Sequence, residues 1–294
     1  MRSYLAEFLS DPRVVQLPRF LWLPILHGIV LRTRPAKSAK KYESVWTPEG
    51  SPLAVHTRRQ TDLLRDTLAP EEVSVEYAMR YGGPSIADGL KKLAGCRKVV
   101  VVPLYPQFSR STTESIRDVL GTSVGPKAAM VESFHDHPAY IAALAAGVQC
   151  HWAEHGKGGK LLMSFHGLPK RAVELGDPYQ AQCLVTAKLL AGALRLPPTG
   201  YLVTFQSRFG AAEWLQPYTE PTLVGLAKQG IRRVDVVCPG FVSDCLETLE
   251  EIAIEAKNAF LGAGGTEFHA LPCLNESPEW IAALAKISRE AARR

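Results

Sequence analysis

The sequence has no CxxC pair, and its six cysteines, Cys96, Cys150, Cys183, Cys238, Cys245 and Cys273, are scattered. That spacing argues against a zinc knuckle or a disulfide framework and for reduced thiols buried as small hydrophobes. No apolar run is long enough to cross a bilayer: the longest, Phe20 to Leu31, contains Pro24 and His27 and is bracketed by Arg19 and Arg32. Met1 to Glu7 place an acid where the apolar core of a secretory signal would begin, so the chain is expected to stay in the cytosol. A Walker A sequence and a GxGxxG following a strand are both missing, which argues against nucleotide-dependent chemistry. Repeats of fixed period and low-complexity linkers are absent as well.

What is present is ordinary for a globular protein of one or two domains: 294 residues, 46% hydrophobic and 21% charged. The net charge of +5 is too modest to indicate nucleic acid. Arg32, Arg34, Lys37, Lys40 and Lys41 follow directly on Phe20 to Leu31, so apolar and cationic surfaces adjoin. Such a pair suits an amphiphilic anion or a membrane surface, or is simply a solvated helix end.

Short β-branched runs recur between helical stretches. Strands are expected at Val73 to Tyr77, Lys98 to Val102, Ala128 to Phe134, Lys160 to Phe165, Tyr201 to Phe205, Val234 to Cys238 and Thr266 to Leu271. Helices are expected at Ile86 to Leu93, Ala139 to Glu154, Gln180 to Leu194, Thr222 to Gln229, Ser243 to Phe260 and Pro278 to Arg293. The alternation predicts an α/β protein with parallel sheets covered on both faces, in two doubly wound halves that part near His135-Asp136-His137-Pro138, a segment suited to capping the next helix. In such folds ligands lie beyond the carboxyl ends of the strands.

Several strand ends carry residues suited to a site. Tyr77 to Pro84 includes Arg80 and Tyr81 before a Gly-Gly-Pro turn, and Pro103 to Thr113 includes Tyr105 and Ser109. In Ser164-Phe165-His166-Gly167-Leu168-Pro169 a histidine ends an apolar strand and Gly167 turns the chain immediately behind it, so the imidazole is free to accept a proton or bind a transition metal. In Cys238 to Ile252 a Pro-Gly turn leads to a helix that Ser243 or Asp244 can cap, whose first turns hold Glu247, Glu250 and Glu251. That is more negative charge than the dipole asks for, and such a cluster can relay protons or guide a divalent cation. Thr204 to Thr219 adds Phe209 and Trp214, which either pack on a flat ligand or fill a gap between sheet and loop.

Other motifs fail on context. Gly121 to Gly125 spells GxSxG but lacks the strand before and helix after that a nucleophile elbow needs. His151 and His155 are spaced i, i+4, yet no glutamate sits beside His151 and no third ligand is evident, so they read as solvent-facing.

Taken together, Ser164 to Pro169, Tyr105-Pro106-Gln107-Phe108-Ser109 with Ser111-Thr112-Thr113, Trp214-Leu215-Gln216-Pro217 and Phe241 to Leu249 resemble the ferrochelatases in order and spacing, from end to end. The resemblance implies two Rossmann-like chelatase halves, 1–136 with a hydrophobic lip at Arg19 to Arg32 and 137–294 with a terminal helix that can pack back on the first. It implies a lyase that inserts Fe²⁺, as substrate, into protoporphyrin IX in haem synthesis. By the same resemblance His166 and Glu247 are the catalytic and metal-binding pair. Arg80, Tyr81, Tyr105, Ser109, Trp214 and Phe241 belong to the porphyrin pocket, and Asp244 and Glu251 to an acidic proton or metal path.

No further cofactor is expected, nor the iron–sulfur cluster of some relatives, and the lip implies peripheral membrane contact. Cys245 stands where some relatives carry histidine and reads as a neutral thiol. The family's opening strand and Gly-Thr-Pro loop have no counterpart, which is read as a start codon set too far downstream. Rival readings are a chelatase for coproporphyrin or another tetrapyrrole, and an inactive porphyrin or haem carrier.

Overall fold

The computed structural model describes residues 1–15, 17–121 and 128–293. In chain order the helices are α1 (Arg2–Ser10), α2 (Arg19–Ile25), α3 (Leu31–Glu43), α4 (Pro52–Leu68), α5 (Ile86–Lys92), α6 (Ser115–Gly121), α7 (Pro138–His155), α8 (Lys170–Glu174), α9 (Tyr179–Ala193), α10 (Thr219–Lys228), α11 (Lys257–Gly262) and α12 (Pro278–Arg293). The strands are β1 (Val99–Val101), β2 (Ala128–Met130), β3 (Leu161–His166), β4 (Tyr201–Gln206), β5 (Arg233–Val237) and β6 (Glu267–Ala270). They form two parallel sheets, β1-β2 and β4-β3-β5-β6, as the alternation of strands and helices predicts.

The core follows from strand alternation. Along β3, Leu161, Met163 and Phe165 face a cluster supplied by α7, α9 and α12, while Leu162 faces a second cluster with Leu223, Val234, Val236, Ile252 and Phe260. Each of these side chains is nearly or completely buried, worth about 1.5–3 kcal/mol apiece. β3 is therefore sealed on both faces until its last residue, His166, which is half-buried. Helix α12 packs against α7 and α4 and also touches β1 and β2. Its Trp280 is fully buried.

Three sequence expectations are corrected. Val73 to Tyr77 runs without pairing: among the described residues it makes no backbone–backbone hydrogen bond, so no neighbouring strand fixes it, and Arg65 Nη2 instead donates to the Val75 carbonyl at 2.8 Å. The strand in the run Ala128 to Phe134 ends at Met130, beyond which single backbone bonds continue, Val131 N–H to the Val101 carbonyl and Phe134 N–H to the Pro106 carbonyl, each at 2.9 Å. The helix expected from Ser243 starts at Glu247, as a π-helical segment over Glu247–Ala256 whose last turn carries the Lys257 amide to the Ile252 carbonyl. Ser243 and Asp244 accordingly do not cap it. His137 does cap α7, accepting from the Ala139 amide at 3.2 Å. Ser123 and the centre of the GxSxG match lie outside the described residues.

No helix among the described residues is long and apolar enough to cross a membrane. Phe20 to Leu31 forms α2 and a π turn, Leu26–Val30, leading into α3. Leu26 and Leu31 pack on Leu5 and Leu9 of α1, whereas Phe20, Leu21, Ile25 and Ile29 are exposed.

Candidate active site

The carboxyl ends of the strands open onto a cavity of about 1770 Å³. Tyr4, Arg34, Tyr42, Arg80, Tyr81, Tyr105, Ser109, His166, Trp214, Phe241, Cys245 and Glu247 all line it. Every residue singled out for the porphyrin pocket is thus present, together with His166 and Glu247.

His166 is delivered by β3, and the turn behind it tolerates only glycine. The Gly167 amide donates to the Gln206 carbonyl at 2.7 Å, and a Cβ at Gly167 would lie 2.6 Å from that oxygen and 3.0 Å from Trp214 Cε3. His166 Nδ1 lies 2.6 Å from the Gly167 carbonyl. A carbonyl can only accept, so the proton sits on Nδ1 and Nε2 keeps its lone pair for a proton or a metal.

Glu247 opens the π-helical segment, and its backbone carbonyl accepts from Gln206 Nε2 at 2.7 Å. Gln206 pairs with His166 in the β3–β4 register and also accepts from Ser164 Oγ at 2.7 Å. One buried amide therefore ties the histidine's strand to the glutamate's helix. Around Glu247 stand three phenols, those of Tyr4, Tyr42 and Tyr105. Burial, with the nearby Glu247 charge, raises the pKa of Tyr4 and pushes Tyr42 up to about 12, so both stay neutral donors. Burial and the same carboxylate push the Cys245 thiol far up, which keeps it neutral beside Glu247.

Rings line the path to His166. Arg34 of α3 lies over Phe209 at 4.9 Å, Phe209 meets Trp214 edge-on at 5.6 Å, and His166 lies 6.4 Å from Trp214 and 6.3 Å from Phe241. Trp214 is 6% exposed and its indole N–H has no partner among the described residues. A buried donor left open is costly, and a ligand acceptor would satisfy it.

The remaining predicted residues are more committed. Arg80 donates to Ser115 Oγ at 2.8 Å and to Asp11 at 2.5 Å, and the Tyr81 hydroxyl donates to Asp11 at 2.8 Å, so neither is a free cation or donor at the wall. Ser109 Oγ donates to Asp177 at 3.0 Å. Asp244 and Glu251 lie behind the lining. Asp244 accepts from Thr248 Oγ1, Asn275 Nδ2 and the Cys273 amide, and Glu251 accepts from the Ser207 amide and hydroxyl at 2.6 and 2.5 Å. Asp11, Tyr4, Tyr42 and Gln206 were not legible in the sequence, because no local pattern marks residues that meet only through the fold.

The ferrochelatase family model matches residues 1–292. The chain belongs to the ferrochelatase family. A protein named ferrochelatase from Azoarcus sp. (strain BH72) is 57% identical over 99% of this chain and 83% of its own length. One of the same name from Aromatoleum aromaticum is 56% identical over 98% of the chain and 82% of its own. The fold resembles the structure of SirB from Bacillus subtilis with Fe³⁺, with a TM-score of 0.61, 15% identity, and coverage of 83% of this chain and 92% of that one. The sirohydrochlorin chelatase SirB from Bacillus subtilis subspecies spizizenii, in complex with cobalt, gives a TM-score of 0.55 at 14% identity over the same shares. A ferrochelatase is a lyase of the metal-chelatase class that metallates a porphyrin in haem synthesis.

Proposed function

We propose that the chain inserts Fe²⁺ into protoporphyrin IX, with the macrocycle held between His166 and Glu247. Two pyrrole N–H protons must leave as the hydrated ion loses its waters, so one side needs a base and the other a ligand for the incoming ion. The observation that carries this reading is the run from Arg34 through Phe209, Trp214 and His166 to Phe241, a wall of rings ending on an imidazole with a free Nε2. Glu251 and Asp244 stand behind Glu247 as the acidic path for protons or metal.

Among the lining cations, Arg13, Arg80 and Arg289 are already paired with carboxylates, and Lys98 donates to the Ala292 carbonyl. Arg34, Arg171 and Arg293 form no ion pair among the described residues, which leaves guanidinium groups open to the propionates of a porphyrin. The exposed Phe20, Leu21, Ile25 and Ile29, with the cations of α3 beside them, support peripheral contact with an anionic membrane. Failure to bind anionic vesicles would remove that part of the proposal.

The deciding experiment is anaerobic metallation followed by absorbance, with Fe²⁺ or Zn²⁺ and either porphyrin. His166→Ala and Glu247→Gln are each expected to lower turnover by about 10²–10⁴-fold. Faster turnover of coproporphyrin would transfer the reading to that substrate. Porphyrin binding without metallation would make the chain a carrier.

A further inference from the structure

Far from the cavity, the end of α7 meets the start of the four-stranded sheet. His151 and His155 lie on the last turns of α7, and His269 lies on β6, where its backbone pairs with Asp235 of β5. One potential ligand nitrogen from each of the three histidines lies within 4.8 Å of the others. The His151 ring stacks on His155 at 4.5 Å, and His269 approaches them at 4.9 and 5.2 Å. His155 is exposed, as expected, and His151 is half-buried; what the local pattern could not show is the third imidazole, which comes from a strand more than a hundred residues away in sequence.

We propose that His151, His155 and His269 form a second metal site, for a divalent transition ion of the Zn²⁺ type, at the opposite end of the sheet from His166. Three observations carry it. First, His151 Nε2 is buried and has no hydrogen-bond partner among the described residues. An imidazole nitrogen in that position lacks an acceptor for a proton or a donor for its lone pair, and a metal ion supplies the latter. Second, the other rings are oriented from outside. His269 Nε2 lies 2.7 Å from Glu267, and His155 Nδ1 lies 3.2 Å from the His151 carbonyl. A carboxylate or carbonyl that takes one ring proton fixes the tautomer and leaves the other nitrogen as a ligand.

Third, the local charge is suited to a dication. Arg233 stands nearby, but its guanidinium lies 3.0 Å from Glu267 and 3.5 Å from Asp235, so two carboxylates offset one cation. Zinc–nitrogen bonds of about 2.0–2.1 Å place tetrahedral ligands roughly 3.3 Å apart. Closing from 4.8 Å asks for a small rotation, which the exposed His155 is free to make. Imidazole ligands favour Zn²⁺, Cu²⁺ or Ni²⁺ over Mg²⁺ or Ca²⁺. Water would complete the coordination, since only three protein ligands converge.

The test uses the full chain carrying His166→Ala, so that metal in the cavity is not counted. Zn²⁺ is titrated calorimetrically into this protein and into the same protein with His155→Gln and His269→Gln added. We expect one zinc bound per chain and a loss of affinity of about 100-fold or more in the added variant, with Glu267→Gln alone costing about 10-fold. Equal affinity in both proteins, or no zinc bound by the first, overturns the proposal. In case the added variant fails to fold, ¹⁵N-histidine spectra of the His166→Ala chain provide a second readout. Zinc should shift the resonances of His151, His155 and His269, and shifts confined to other histidines overturn the assignment.

Discussion

Lys41 Nζ lies 2.9 Å from Glu250 Oε2, and the same ammonium lies 2.8 Å from Glu255 Oε1. A residue of α3 thus clasps the π-helical segment that begins with Glu247. Burial raises the Glu250 pKa, and Lys41 opposes that rise. Because the Lys41 side chain is 46% exposed, the pair contributes little to global stability. Lys41→Met is expected to cost less than about 1 kcal/mol in chemical denaturation. It should nevertheless speed amide exchange across Leu31–Glu43, which mass-detected hydrogen exchange would reveal. Unchanged exchange there would mean that α3 is held by its apolar contacts alone.

Gly167 predicts a sharper effect. A methyl group on its Cα would stand 2.6 Å from the Gln206 oxygen, so Gly167→Ala must displace either β4 or the His166 turn. The expected cost is about 1–3 kcal/mol, with metallation reduced more than porphyrin affinity, because the His166 turn takes the 2.6 Å clash and Trp214 only the looser one at 3.0 Å. A parallel fall in both would indicate general collapse of the cavity.

Asp11 predicts a pH dependence. Burial alone would raise its pKa, but hydrogen bonds from Ser115, the Arg13 amide and Tyr81, with the Arg80 charge, hold it below the ordinary carboxylate value. A depressed folded-state pKa means that the stabilisation is complete above the unfolded-state value and fades as pH falls through the folded-state one. Asp11→Asn is therefore expected to cost about 2 kcal/mol at pH 7, and the gap to the parent should narrow in acid. Urea titrations at pH 7 and pH 3 measure both.

For Trp214, replacement by leucine removes the ring between Phe209 and His166 while keeping the site apolar. Porphyrin affinity should fall by roughly 0.5–1.5 kcal/mol, about 2- to 12-fold, in fluorescence titrations. Unaltered affinity would assign Trp214 to filling the gap between sheet and loop.

Much of this was legible in the sequence wherever a pattern is local. The run Leu161 to Phe165 followed by His166-Gly167 marks a strand sealed on both faces with a side chain released at its end, and the fold places it so. In the second half β3 and β4 read well because they are nearly continuous apolar runs. Legibility ended where the outcome depends on a partner. Val73 to Tyr77 has the composition of a strand, but pairing is not a property of one segment. The start of the Glu247 helix was misplaced because π winding, unlike a capped α-helix, has no capping signature; Asp244 serves Thr248 and Asn275 instead. Asp11 and Tyr42 reach the site only through tertiary contacts with Tyr81 and Tyr4.

The unpaired run at Val73 to Tyr77 also bears on how the protein behaves in concentrated solution. Its amides and carbonyls make no backbone pairing among the described residues, and Val73 is 44% exposed. An extended segment with open backbone groups is a template for a strand from another molecule. Glu72 and Glu76 flank and interrupt it with like charges that repel a second copy, and Lys92 and Arg65 offset only Glu76. Colloidal stability should therefore depend on salt, with self-association growing as ionic strength screens those carboxylates.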